Sequence, residues 1–295
     1  MNKIGSSETI RKTTFNFYNY KQNTVSHKNH IDNLFLEWFI GFVEGYGTFT
    51  VSNQRLFFII NHQEQRILYY IRTKLGFGKV SHYQNYSRYI VADRINVDRL
   101  ISLFNGNLLL EKTNTLFGLW LSARNLYSEK NIEKRSQNEE YEGYEGYEQT
   151  FARNGWLSGF IEKRGRFNAS RIIDNKCVLG FRVRPHFILD SYSEKPFLEQ
   201  VQLFFKKGRI EKMKEGENEV DQIYRFTCNH MKGHEKIIEY LESYPLRTLK
   251  KVSFLRWTSL CNYIKNRKDL PWQGKVYNRV ENLIKNINSF DKTKS

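Results

Sequence analysis

Phe35, Trp38, Phe39, Phe42 and Val43 recur every three to four positions, the spacing of one helical face, and Asp32 or Asn33 stands where a side-chain cap would open that helix. Gly47 then reads as a stop, and residues 48–52 alternate polar and apolar side chains as a half-buried strand does. Asn53-Gln54 supplies a turn into a second strand over residues 55–61. Ile67, Leu68 and Ile71 mark one side of an amphipathic helix over 64–75; short strands follow near 78–83 and 86–92, and helices over 97–104 and 113–125. The order is α-β-β-α-β-β-α. The same succession returns downstream: a helix over about 152–161, strands at 166–173 and 178–189, a helix at 196–205, strands near 209–214 and 222–229, and helices at 233–244 and 250–265. A last helix, 275–287, has no counterpart in the first half.

The repetition extends to particular residues. Gly41-Phe-Val-Glu-Gly-Tyr-Gly-Thr-Phe49 returns as Gly159-Phe-Ile-Glu-Lys-Arg-Gly-Arg-Phe167. Leu75-Gly-Phe-Gly-Lys-Val80 is answered by Phe205-Lys-Lys-Gly-Arg-Ile210, and Ser87-Arg-Tyr-Ile-Val91 by Tyr224-Arg-Phe-Thr-Cys228. Phe117 and Trp120 are answered by Phe254 and Trp257 at the same spacing. Echoes that keep their order argue for duplication of one unit. The chain therefore divides into a flexible basic N-terminal arm (1–30), a first domain (31–130), an acidic linker (131–150) and a second domain carrying the extra C-terminal helix (151–295). Residues 133–149, EKRSQNEEYEGYEGYEQ, are polar, repetitive and nearly free of aliphatic side chains, which is linker chemistry. Their carboxylates predict a segment that arches away from a polyanion, or simply a solvated loop.

Charge narrows the partners. A net charge of +16, from 47 Lys+Arg against 31 Asp+Glu, makes a polyanion the default ligand, while a hydrophobic fraction of 40% supplies a real core. No apolar run reaches the roughly 20 residues needed to span a bilayer, so no membrane partner is expected. Cys177, Cys228 and Cys261 are dispersed and odd in number, which fits a reducing compartment and no zinc site. The histidines form no metal set; His230 and His234 are one turn apart and read as surface or capping residues. Residues 1–30 hold Glu8 as their one acid and fit either an organellar transit segment or a basic arm that contacts phosphate. The lean towards Lys, Asn, Ile, Tyr and Phe is the bias of an AT-rich, organelle-type gene, which would need no transit segment.

The motifs Phe39-Ile-Gly-Phe-Val-Glu-Gly-Tyr-Gly47 and Leu157-Ser-Gly-Phe-Ile-Glu-Lys-Arg-Gly165 resemble the paired helices of single-chain LAGLIDADG homing endonucleases and maturases. Asn105-Gly-Asn-Leu-Leu-Leu110, and Tyr244-Pro-Leu followed by Phe254-Leu-Arg-Trp257, resemble fungal mitochondrial intron-encoded members. The resemblance implies an α+β fold of two pseudo-twofold-related units, packed through their motif helices, whose sheets form a saddle over nucleic acid. It makes the chain a pseudo-dimeric monomer of the mitochondrial matrix. Gly41 and Gly45 share a helical face and let two backbones approach, at a cost of roughly 1 kcal/mol each in a helix interior; Lys163 at the matching small position of the second motif predicts looser packing there.

The resemblance also implies a reaction. Members of the family cut DNA with divalent ions held by an acid at the eighth position of each motif, because hard cations such as Mg²⁺ take oxygen ligands and activate water for attack on phosphate. Here those positions are Tyr46 and Arg164, with Lys163 alongside. A phenol is protonated near neutral pH, and a guanidinium cannot ligate. Glu44 and Glu162 remain at the sixth, more structural position, and Lys112 keeps a basic residue linked to catalysis, its partner by the Phe117/Phe254 register being Leu249. No catalytic set, metal site or cofactor is expected, Mg²⁺ entering only under the alternative of a site-specific endonuclease acting on double-stranded DNA. The candidate nucleic-acid-binding residues are the strand positions Thr48, Thr50, Arg55, Lys79 and Arg88 in the first half, and Lys163, Arg164, Arg166, Asn168, Ser170, Arg182, Arg184, His186, Arg209 and Arg225 in the second. The expected function is binding without cutting, with structured RNA favoured over DNA: a group I intron maturase, or a protein recruited into a ribonucleoprotein such as the mitochondrial ribosome.

Overall fold

The computed structural model describes residues 15–28, 31–135, 153–175, 181–192, 194–213, 222–266 and 275–289. After a short helix α1 (Tyr18–Gln22), the first unit runs α2 (Asn33–Tyr46), β1 (Gly47–Ser52), β2 (Arg55–His62), α3 (Gln65–Leu75), β3 (Lys79–His82), β4 (Ser87–Val91), α4 (Arg94–Phe104) and α5 (Glu111–Leu126). The second runs α6 (Trp156–Arg164), β5 (Gly165–Ile173), β6 (Phe181–Tyr192), α7 (Lys195–Phe205), β7 (Arg209–Lys212), β8 (Ile223–Cys228), α8 (Met231–Ser243) and α9 (Lys250–Lys265), followed by α10 (Lys275–Asn286). Each unit holds one antiparallel four-stranded sheet, ordered β1-β2-β4-β3 and β5-β6-β8-β7. This is the duplication that the hydrophobic pattern predicts, with two helices rather than one closing each α-β-β-α-β-β-α unit.

The echoes between the halves are largely core contacts. Phe49 packs against Phe58, Phe104, Phe117 and Trp120; its counterpart Phe167 packs against Phe187, Phe254 and Trp257. Helices cover one face of each sheet this way and leave the other open. Gly76 and Lys206 end α3 and α7 in the left-handed conformation, which explains why a Gly-rich and a Lys-rich segment answer each other.

The two units join through α2 and α6. Residues Phe35 to Glu44 of α2 are buried all round, as expected of a helix shared between two cores. A Cβ on Gly41 would overlap the Trp156 carbonyl oxygen, and one on Gly159 the Trp38 carbonyl oxygen, so backbone meets backbone. Towards the base, a Cβ on Gly45 would lie 2.8 Å from Lys163 Cβ, so there the neighbour is a side chain. Both helices pass straight into a strand through extended glycines, Gly47 (φ −73°) and Gly165 (φ −82°), rather than ending in a left-handed cap. Each sheet thus starts at a helix base.

Several expectations need correction. Residues 15–28 are not a free arm: Phe15, Phe17 and Tyr20 are buried, Asn107 bonds the Asn16 backbone, and Arg99 donates to Asn23 O. Residues 131–135, read as linker, are tied down by Asn125 at Ile132 and by Asn105 at Glu133 and Arg135. The rest of the arm (1–14, 29–30) and linker (136–150), with Cys177, lie outside the described residues. Helix α6 opens at Trp156 rather than 152, where Asn154 accepts its N–H, and α4 opens at Arg94 under the Asp93 cap. His230 caps α8 as expected, but His234 is buried against Trp257 rather than on the surface. Among the described residues no helix is long and apolar enough to cross a membrane.

Candidate nucleic-acid interface

The last residues of the motif helices meet at their bases. Tyr46 stacks on Phe42 and leans on His62. Its hydroxyl donates to Glu162 O (3.2 Å) and lies 3.2 Å from His62 Nε2. Glu64 N–H donates to His62 Nδ1 (2.9 Å), which fixes the ring tautomer so that Nε2–H donates to the phenol. Burial holds His62 neutral, its pKa pushed down to about 4, and keeps the Tyr46 phenol protonated, its pKa above the usual range.

Cations surround this chain of bonds. Lys163 Nζ sits 4.7 Å from the centre of the Tyr46 ring, and Arg164 lies over Tyr192 at 4.4 Å with Lys112 on the same ring at 5.5 Å. Lys250 reaches in from the start of α9 and donates to Ile161 O (3.0 Å) and Gly165 O (2.5 Å). Burial lowers its pKa to about 8, with Glu162 acting in the opposite direction. Leu249 is the partner of Lys112 in the sequence register; in space it is the next residue, Lys250, that supplies the basic group at the second helix base.

Glu44 and Glu162 have other work. Glu44 accepts Leu110 N–H (2.6 Å) and Trp156 Nε1–H (2.5 Å); burial lifts its pKa to about 8. Glu162 accepts Arg247 N–H (2.5 Å), Thr248 N–H (3.2 Å) and the Thr248 hydroxyl (2.5 Å), and burial again raises its pKa. Each carboxyl pins the segment that leads into the last conserved helix of its own unit, and Glu44 also ties α2 to α6.

The strand register puts the predicted strand residues on the open faces. In the first sheet Thr48 pairs with Ile59, which pairs with Ile90, which pairs with Lys79; Thr50 pairs with Phe57, Ser52 with Arg55, and Asn61 with Arg88. Paired residues share a face, and Phe49, Phe58 and Tyr89 occupy the other. In the second sheet Arg166 pairs with Ile188, Asn168 with His186, and Ser170 with Arg184, while Arg182 stands beside Ile172. Arg225 pairs with Asp190, and Arg209 with Thr227. Lys79 and Arg209 fall on the edge strands β3 and β7. Several cations are already engaged: Arg166 and Arg225 both bind Asp190, Arg209 approaches Glu211 at 3.4 Å, Arg182 approaches Asp174 at 3.6 Å, and Asn168 accepts from Asn288. Arg184 has no ion pair among the described residues.

Residues 157–261 match the LAGLIDADG endonuclease family. The chain carries a LAGLIDADG endonuclease domain. Among curated proteins it is 32% identical over 273 residues to the probable intron-encoded endonuclease 4 of Neurospora crassa, covering 87% of this chain and 45% of that protein, so it spans less than half of that relative. It is 23% identical over 276 residues to an uncharacterized cox1 intron-2 protein of Schizosaccharomyces pombe, covering 92% and 78%. The LAGLIDADG meganuclease I-AabMI bound to uncleaved DNA superposes with a TM-score of 0.68 at 20% identity, over 86% of this chain and 99% of that one. I-SmaMI bound to cleaved DNA gives 0.66 at 16% identity, over 86% and 96%. At these identities the solved structures establish the shared two-domain fold.

The residues at the LAGLIDADG helix bases do not fit a divalent metal. The positions that would offer carboxylates hold a neutral phenol and a guanidinium, Lys163 and Lys250 stand beside them, Glu44 and Glu162 are engaged by backbone and side-chain donors, and the neighbouring Glu64 accepts Leu249 N–H. Among the described residues no three His, Cys, Asp or Glu side chains cluster as a metal site. Sequence reasoning missed His62, Lys250 and Asp190. His62 closes β2, 16 residues after Tyr46, so only the folded sheet brings the two together; Asp190 becomes visible only once strand register sets it between Arg166 and Arg225.

Proposed function

We propose that this chain binds nucleic acid across its two open sheet faces and does not cut it. The observation that carries the reading is the replacement of the metal-holding pair by Tyr46 and Arg164, with the residual acids committed to structural bonds. A cationic pocket repels Mg²⁺ and attracts phosphate. Structured RNA is the favoured ligand, because stabilising a folded group I intron, or joining a ribonucleoprotein, needs no carboxylates. Fungal relatives named as probable intron-encoded endonucleases, and one named for a cox1 intron, support an origin in a mitochondrial intron, and from that origin we place the chain in the mitochondrial matrix. The DNA-bound meganucleases of the same fold favour a second reading, in which duplex DNA is held uncut. Equilibrium binding to pools of folded RNA and of duplex DNA, in EDTA and across a salt series, tests both. Tight, salt-dependent binding without metal is expected, stronger for RNA. A strict metal requirement, or no binding to either pool, would overturn the proposal.

A further inference from the structure

The β3–β4 hairpin carries a feature that phosphate contacts and groove readout leave unused. Tyr83 and Tyr86 close the hairpin through a Tyr83 N–H to Tyr86 O bond of 2.9 Å. Their rings stack at 4.9 Å with an interplanar angle of 15°. Arg88 lies over both, 5.2 Å from the Tyr83 ring centre and 5.8 Å from that of Tyr86. It is fixed by a 2.9 Å bond from Nε to Asn61 Oδ1 and a 3.4 Å bond from Nη2 to Tyr86 Oη. Behind the hairpin, His82 links Tyr69 to Ser87. Strand alternation extends the open-face series Lys79, Ser81 to Tyr83, and Tyr86 shares its face with Arg88. Tyr83 nevertheless remains 48% exposed.

Two aromatic rings and a guanidinium held in one stack, half open to solvent on the face that the binding reading assigns to nucleic acid, have a specific use. We infer that the Tyr83–Tyr86–Arg88 stack is a platform for an unpaired nucleobase. Every base has a π-face, so stacking on an exposed ring is tolerant of sequence, and the guanidinium adds a cation–π contribution. A base inside a duplex has both faces covered by its neighbours and cannot reach such a ring without unpairing. Loops, bulges and single-stranded ends offer free faces. The ligand class is thus a nucleic acid with an unpaired base beside a helical segment. This inference rests on the nucleic-acid-binding reading and adds which part of the ligand the first unit holds.

The test uses an RNA hairpin with 2-aminopurine in its loop, whose fluorescence is quenched by stacking, and a blunt RNA duplex of equal length. Binding of the unaltered chain should quench the loop fluorophore. Tyr83→Ser should abolish the quenching and weaken hairpin binding by roughly 5- to 150-fold, while changing duplex binding less than about twofold. Tyr83→Leu, which keeps apolar bulk without a ring, should behave like Tyr83→Ser, and Tyr83→Phe should restore both readouts. Quenching that survives Tyr83→Ser, or equal losses on hairpin and duplex, would overturn the platform while leaving the binding reading intact. Failure of the unaltered chain to bind either RNA would overturn the platform together with the preference for RNA, and the duplex-DNA reading would then stand or fall by its own binding series.

Discussion

Glu44 is where the structural reading of the residual acids can be tested most sharply. Its carboxyl sits in a buried site with a pKa of about 8 against an ordinary 4.5. Because the native value lies above the unfolded one, the folded chain keeps a proton that the unfolded chain loses, and stability falls as pH rises from 4.5 through 8, then levels off. At about 1.4 kcal/mol per pH unit, the fall between pH 5 and 9 from this one group is about 4 kcal/mol at most. Glu44→Gln removes the titration. It also leaves one of the two donors, Leu110 N–H or Trp156 Nε1–H, facing an amide NH₂, a loss of about 1–3 kcal/mol. The variant should therefore be less stable than the unaltered chain at pH 5, and the gap should close or reverse by pH 9. Urea unfolding followed by circular dichroism at both pH values measures it. A gap that does not change with pH, or a variant as stable as the parent at pH 5, would refute the assignment of Glu44 as a protonated structural pin.

Other outcomes follow from the same contacts. Gly159→Ala should cost about 3 kcal/mol or more, because the new Cβ meets the Trp38 carbonyl oxygen and the backbone cannot retreat; thermal unfolding reads the loss. Tyr46→Phe removes the hydroxyl between His62 and Glu162 O and should cost about 1–2 kcal/mol in a urea titration, with nucleic-acid affinity little changed. Arg184→Ala removes a cation with no ion pair among the described residues from the open face; it should weaken binding to all sequences alike and reduce the salt slope by about one.

Much of this was legible in the sequence because duplication writes each core contact twice. Phe49 and Phe167, or Trp120 and Trp257, announce a shared packing role by recurring in register, and period-two alternation then assigns Thr48 or Arg166 to the opposite face. What stayed hidden lacks a side-chain signature. The helix Tyr18–Gln22 is too short to show a period, and its docking depends on Asn107 reaching backbone atoms of Asn16. The partners of Glu44 and Glu162 include backbone N–H groups, which every residue carries, so no pattern marks them. Lys250 was passed over because register alignment selects Leu249, whereas the turn before α9 brings the next side chain to the helix base.

Strand scission within a saturated complex tests the central claim most directly. With ligand bound to completion by excess protein, Mg²⁺ or Mn²⁺ is added and the strands are resolved on a denaturing gel over several hours. The account predicts intact strands, identical to those kept in EDTA, because Tyr46, Lys163 and Arg164 offer a divalent ion no carboxylate at the helix bases. Specific breaks that need the metal and vanish in Glu44→Gln or Glu162→Gln would contradict it.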